Sequence, residues 1–152
     1  MIRVLFICHG NICRSPMAEF ILKDKVAACG LEDCFTIASA ATSREEIGNP
    51  VYPPARRELA RHGISCAGKR AVQVRPADYG AYDLLIVMDG QNLRNLLRIT
   101  GDDRDGKIHR LMDFTTRPGD VADPWYTDDF ETCYRDIAEG CEGLLRQIGN
   151  KK

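Results

Sequence analysis

The apolar run Ile2-Arg3-Val4-Leu5-Phe6-Ile7 breaks at Cys8-His9-Gly10-Asn11-Ile12-Cys13-Arg14-Ser15, and beyond Pro16 the residues Met17, Phe20 and Ile21 recur at helical spacing. A nearly continuous apolar strand is one covered on both faces. A short loop that joins such a strand directly to a helix can curl until its backbone N–H groups converge on one anion, to which the helix adds its positive end. Cys8 then lies beneath that anion. Arg14 offers a planar fork matched to two oxyanion oxygens.

The spacing alone says little. Seven cysteines and fifteen arginines in 152 residues would place a bare Cys-x5-Arg about 0.7 times by chance. The setting carries the information. Gly10 and Asn11 tolerate positive φ, and Ser15 and Pro16 suit an N-cap and a first helical position. The bland alternative is a buried cysteine closing a strand, with a surface arginine nearby.

Helix 1 is expected from near Ser15 to near Gly30, with Met17, Phe20 and Ile21 buried. A second strand is read at about 35–38, then an irregular stretch over 39–54 and a helix over 55–62 that stops at Gly63. Leu84-Leu85-Ile86-Val87-Met88 reads as a strand, Asp89-Gly90 as a turn into a helix at about 92–99, and about 107–112 as an edge strand. Phe130, Cys133, Tyr134, Ile137, Cys141, Leu144, Leu145 and Ile148 mark one buried face of a last helix. Asp128 and Glu131 resemble a capping box at its start. With no repeat or linker, residues 1–152 read as a single domain. Alternating strands and helices predict an α/β fold, a three-layer domain with a small, about four-stranded parallel sheet and helices on both faces. Ligands bind beyond the carboxyl ends of such strands, where Cys8, Ser39 and Asp89 all fall.

A net charge of −1 argues against bulk electrostatic binding to nucleic acid or an anionic membrane. No run approaches the ~18 apolar residues of a membrane span, and residues 1–7 do not read as an export signal. An odd number of cysteines without such a signal points to free thiols in a reducing compartment, hence the cytoplasm. The close cysteine pairs, Cys8/Cys13 and Cys29/Cys34, are x4-spaced with no histidine cluster to complete a set, so no metal site is expected.

A helix N-terminus and a neighbouring guanidinium lower a cysteine pKa to roughly 3.5–7.5. Cys8 has both, with the Ser15 hydroxyl as a further donor, and is expected to be a thiolate that takes the phosphoryl group as a phosphocysteine. Such a site also needs an acid for the leaving oxygen and a base for water. Asp123-Pro124-Trp125-Tyr126 offers one: Pro124 biases Asp123 toward extended backbone, and the rings can wall an aromatic substrate. The same tetrapeptide also reads as a plain turn before the last helix.

Taken together, the loop from Cys8 to Pro16 and the distant Asp123-Pro124-Trp125-Tyr126 resemble the low-molecular-weight protein tyrosine phosphatases. Ser39-Ala40-Ala41-Thr42-Ser43, Ile47-Gly48-Asn49-Pro50, Arg61-His62-Gly63-Ile64 and Met88-Asp89 have family counterparts in the same order. The resemblance implies a phosphotyrosine protein substrate, in a pathway that can include a tyrosine kinase, and no metal or organic cofactor. It implies Cys8 as nucleophile, Arg14 as phosphate clamp and Asp123 as general acid/base, with backbone amides of His9, Gly10, Asn11, Ile12, Cys13 and Ser15 on the phosphoryl oxygens. It further implies a supporting network of Asn11, Ser15, Ser39 and His62, with Asn11 left-handed. Asp89 is either a supporting acid or a turn residue capping the next helix. Cys13 matches a cysteine that can pair with Cys8 on oxidation; otherwise it is a small residue filling space. The other five cysteines read as packing residues.

His9 stands where many members carry an apolar residue, and Glu45 where several carry a large aromatic one on the pocket rim. Glu45 and Glu46 are expected to disfavour acidic peptides. Three rival readings remain. Arsenate reductases of this superfamily need extra cysteines after the third strand, where this chain has Met88-Asp89-Gly90. Protein arginine phosphatases carry threonine at the position of Ile12. A phosphopeptide-binding module would need neither Cys8 nor Asp123.

Overall fold

Strand β1 (Ile2–Cys8) is paired on both edges. Strand β2 (Phe35–Ala41) runs beside its whole length, from Ile2 opposite Phe35 to Cys8 opposite Ala41, while β3 (Leu84–Val87) pairs with its other edge. Strand β4 (Ile108–Arg110) adds to β3; all pairings are parallel and the order is β2-β1-β3-β4. The computed structural model describes residues 1–150, without the side chain of Asn150. The helices among these are α1 (Arg14–Ala28), α2 (Pro53–Arg61), α3 (Asp78–Ala81), α4 (Gly90–Thr100), α5 (Pro124–Thr127) and α6 (Phe130–Asn150). The α/β class and four-stranded parallel sheet agree with the sequence expectation.

Side chains alternate across a strand, so β1 feeds two cores. Val4, Phe6 and Cys8 join Met17, Ile21 and Leu22 of α1, Leu59 of α2, and Ile137 and Leu144 of α6. Leu5 and Ile7 face the other way and join Leu85, Val87, Leu96 of α4 and Ile108. Both faces are therefore covered, which explains the unbroken apolar run.

Several local expectations are corrected. Strand β2 continues to Ala41, because Ala41 N donates to Val72 O and accepts, through its own carbonyl, from Val74 N; Ser39 lies inside the strand, opposite Phe6. The N-cap position of α1 is Cys13, without a side-chain cap. Ser15 is in the first turn, its hydroxyl turned to Cys8. Pro16 still falls among the first-turn residues, where its missing N–H loses nothing. Phe20 is only partly buried, and Ala18, Leu22 and Val26 are buried beside Met17 and Ile21. The edge strand is three residues long, since Leu111–Phe114 closes into a 3-10 turn. That turn rests on α6 at two glycines: a Cβ on Gly140 would meet Leu111 Cγ at 2.5 Å, and one on Gly143 would meet Phe114 O at 2.0 Å. Asp128 is left-handed (φ 58°) and ends α5; Asp129, not Asp128, caps α6 by accepting from Thr132 N at 3.0 Å. Cys29 and Cys34 are exposed, not packed inside. No helix among the described residues is long and apolar enough to cross a membrane.

Candidate active site

Strand β1 carries Cys8, 3 % exposed, to the carboxyl edge of the sheet. The chain then folds back through Asn11 at φ 60°, the left-handed conformation that asparagine tolerates. Three donors close on the sulfur: Ser15 Oγ at 2.9 Å, Asn11 N at 3.3 Å and Ser15 N at 3.4 Å. All three are hydrogen bonds a thiolate can accept.

The direction of these bonds follows from donor counting. Val72 N donates to Asn11 Oδ1 at 3.2 Å, so Asn11 Nδ2 is the atom that donates to Ser15 Oγ at 2.7 Å and Ser39 Oγ at 2.9 Å. A hydroxyl carries one hydrogen. Ser15, having accepted from Asn11, spends its own on Cys8, and Ser39 donates its own to Glu19 Oε1 at 2.6 Å. Glu19 is buried beneath and also accepts from Lys23 Nζ at 2.6 Å. Lys69 Nζ lies 3.5 Å from Glu19 Oε1 and donates to Ser39 O at 2.9 Å. Burial pulls the Lys69 ammonium below its ordinary pKa, although Glu19 opposes this.

His62 is not part of this network. It ends α2, half-exposed, where Nε2 meets Glu58 Oε2 at 3.1 Å and the ring stacks on Tyr134 with centroids 3.7 Å apart. Lys69, Glu19 and Val72 occupy the positions around Ser39 and Asn11 that it was expected to serve. Nothing in the local sequence announced Lys69. The four-residue spacing of Ser15, Glu19 and Lys23 on an otherwise buried helix was a visible signal for Glu19.

Arg14 is 3 % exposed. Its Nη1 donates to Asp89 Oδ2 at 2.7 Å and Val121 O at 2.8 Å, and its Nη2 approaches Asp123 Oδ2 at 3.4 Å. Burial disfavours the guanidinium charge, but Cys8, Asp89 and Asp123 outweigh it and push its pKa further up. Asp89 Oδ1 also accepts from Asn92 N, so the same side chain caps α4. Asp123 has extended backbone before Pro124 and caps α5 through Trp125 N at 3.0 Å.

A cavity of about 240 Å³ opens above the sulfur. Cys8, Cys13 and Arg14 line it, with Gly10 and Ile12 of the same loop, and Asp123, Trp125 and Tyr126 come from the distant loop. Asn11 and Ser15 lie behind the sulfur rather than on the cavity wall. Glu45 and Glu46 also line it, and Glu45 Oε2 is paired with His9 Nε2 at 3.0 Å on the exposed rim. Trp125 leans on Tyr52, ring centroids 5.0 Å apart, and Tyr52 N donates to Ile12 O at 2.8 Å. The sequence reading did not single out Tyr52. Burial pushes the Cys13 thiol up to about 12. No cluster of three or more His, Cys, Asp or Glu suited to a metal occurs among the described residues.

The model of the family described as low molecular weight phosphotyrosine protein phosphatase matches residues 3–152. The chain belongs to this phosphatase family. Among the phosphatases it resembles, the low molecular weight protein-tyrosine-phosphatase YfkJ of Bacillus subtilis is 42 % identical over all of this chain and 99 % of that protein. The crystal structure of YfkJ superimposes with a TM-score of 0.96, covering 100 % of this chain and 97 % of that one. The low molecular weight phosphotyrosine protein phosphatase of Gallus gallus is 37 % identical, with 95 % of this chain and 94 % of the relative covered. Wzb of Vibrio vulnificus, solved in complex with benzylphosphonate, is 26 % identical with a TM-score of 0.84, covering 96 % of this chain and 98 % of that one. The phosphatase described here is accordingly an enzyme of the protein tyrosine phosphatase class.

Proposed function

We propose that this phosphatase hydrolyses phosphotyrosine in proteins, and small aryl phosphates, through a phosphocysteine at Cys8. The observation that carries this reading is the convergence of Ser15 Oγ, Ser15 N and Asn11 N on Cys8 Sγ at the floor of a cavity that Arg14 and Asp123 also line. The Cys8 thiolate attacks phosphorus, and the bond to the phenolic oxygen breaks. Asp123, as the acid, gives that oxygen its proton. The resulting Asp123 carboxylate then takes a proton from water, whose oxygen attacks the phosphocysteine, releasing inorganic phosphate and the thiolate. Arg14 Nη1 is committed to Asp89 and Val121 O, which leaves Nε and Nη2 as the pair for two phosphoryl oxygens. Loop amides from His9 to Ser15 complete the cradle, and the apolar Ile12 with Trp125 and Tyr126 suits a phenyl ester. The benzylphosphonate held by Vibrio Wzb supports an aryl phosphate here.

A tyrosine kinase is the class of enzyme that supplies such a substrate. Seven free cysteines support a reducing, cytoplasmic setting. Oxidation belongs to the same reading: peroxide converts Cys8 to a sulfenic acid, and the Cys13 thiol displaces water from it to form a disulfide.

The test is p-nitrophenyl phosphate and phosphotyrosine peptide hydrolysis with acid-quench mass spectrometry of the enzyme. A phosphate adduct on the Cys8 peptide, absent in Cys8→Ser and depleted of turnover in Asp123→Asn, is expected. Full activity in Cys8→Ser, or phosphoarginine cleared much faster than phosphotyrosine, would overturn the assignment.

A further inference from the structure

Behind the phosphate loop stand buried charges for which phosphoryl transfer itself has no use, and their role follows from reading Cys8 as the nucleophile. The Glu19 side chain is 6 % exposed and that of Lys69 12 %. Charges taken out of water cost several kcal/mol each unless paired, and an apolar pair of similar volume often serves stability as well. This pair is instead spent on one residue. Glu19 accepts the hydroxyl of Ser39, and Lys69 Nζ donates to the carbonyl of Ser39. From Ser39 the bonds continue through Asn11 and Ser15 to Cys8.

We propose that Glu19 and Lys69 are positioning residues of the phosphate loop, a buried ion pair that grips Ser39 and so sets the direction of the hydrogen bonds ending on Cys8 Sγ. A carboxylate offers lone pairs only, so Ser39 must donate to Glu19 and accept from Asn11. Without that acceptor, Ser39 (1 % exposed) carries a buried hydrogen with no partner. Turning it to Asn11 Oδ1 competes with Val72 N and swings the amide that directs the Ser15 hydrogen onto the sulfur. Lys69 pairs with Glu19 at depth; Lys23, the other partner, is 44 % exposed and grips nothing of Ser39. The titratable groups that interact with Cys8 from other elements are Arg14, Cys13, Cys133 and Lys69, with Asp123 across the same cavity.

The experiment uses opposite signs. Lys23, Lys69 and Glu19 together carry one net positive charge. Glu19→Met removes both acceptor oxygens and makes it two, so a simple field would ease ionisation of Cys8. Positioning requires the reverse: alkylation of the Cys8 peptide by iodoacetate at about pH 6 slows roughly tenfold, equivalent to about 1.4 kcal/mol, and the acid limb of kcat/KM moves to higher pH. Lys69→Met gives the same slowing, and Lys69→Arg, which still reaches both oxygens, restores the rate to within about threefold. Ser39→Ala breaks the chain with both charges in place, and slows alkylation likewise. Unchanged or faster alkylation in Glu19→Met, or in Ser39→Ala should Glu19→Met fail to fold, overturns the proposal while leaving the nucleophile reading intact. A wild-type Cys8 that alkylates like an ordinary thiol overturns both.

Discussion

Asp89 divides its two oxygens between Arg14 and its own helix. Oδ2 accepts Arg14 Nη1 at 2.7 Å, and Oδ1 accepts Asn92 N at 2.7 Å. One side chain thus ties Arg14 to the start of α4.

Asp89→Asn keeps an acceptor for Asn92 N but removes the charge opposite Arg14. A hydrogen bond to a charged group contributes about 1.5–3 kcal/mol and Arg14 is buried, so kcat/KM is expected to fall roughly 10–100-fold and Tm to fall with it. Asp89→Ala loses the cap as well and is expected to be about 1 kcal/mol less stable. Steady-state kinetics with thermal denaturation of both variants checks this. Equal Tm losses in the two would sink the division of labour.

Asp103 governs part of the acid sensitivity. Burial raises its carboxyl pKa, but bonds from Tyr79 Oη and the backbone N–H of Lys107 and Ile108 outweigh burial, so it lies below the ordinary carboxylate value. A depressed folded-state pKa gives stability that is present above the unfolded value, about 3.9, and is lost as pH falls through the folded value. Asp103→Asn is expected to lower stability at neutral pH and to flatten the loss below about pH 4. Urea midpoints measured at several pH values decide it; parallel curves for variant and wild type count against it.

Gly143 lies where α6 meets Phe114 O, and a methyl group there has no room. Gly143→Ala is expected to cost about 1–3 kcal/mol as overpacking, despite alanine's better helix propensity. A urea melt gives the answer, and a variant as stable as wild type would contradict the close approach.

The rim pair of His9 and Glu45 is exposed, and such pairs are worth at most about 1 kcal/mol. Basic residues beside phosphotyrosine are expected to be favoured over acidic ones by a few-fold in kcat/KM, and Glu45→Gln is expected to narrow the difference. Matched phosphopeptides assayed at low salt test this. Equal turnover of acidic and basic peptides dismisses it.

What could be read from the chain was what a few neighbouring residues decide together. Strand β1, the loop after it and the long face of α6 announce themselves through apolar runs and periodicity, and Cys8, Arg14 and Asp123 through local motifs. The parts that escaped depend on distant chain. Strand β2 was read three residues short because Val72 and Val74 extend it, and their contribution has no sign near Ser39. His62 looked plausible beside Gly63, yet Glu58, one turn back, and Tyr134 from α6 claim it. Lys69 entered the site because the 66–74 segment folds under Ser39. Asp128 reads as a helix start beside Glu131, whereas the short α5 needs a left-handed residue to end on.

Tyr52 is where two duties meet. Its main chain moors the loop after β1 at Ile12, and its ring props up Trp125. Under the proposed function, the wall against the ester and the loop around phosphorus therefore share one anchor, and a change that loosens one loosens the other. Tyr52 is a place where drift is constrained from two directions at once.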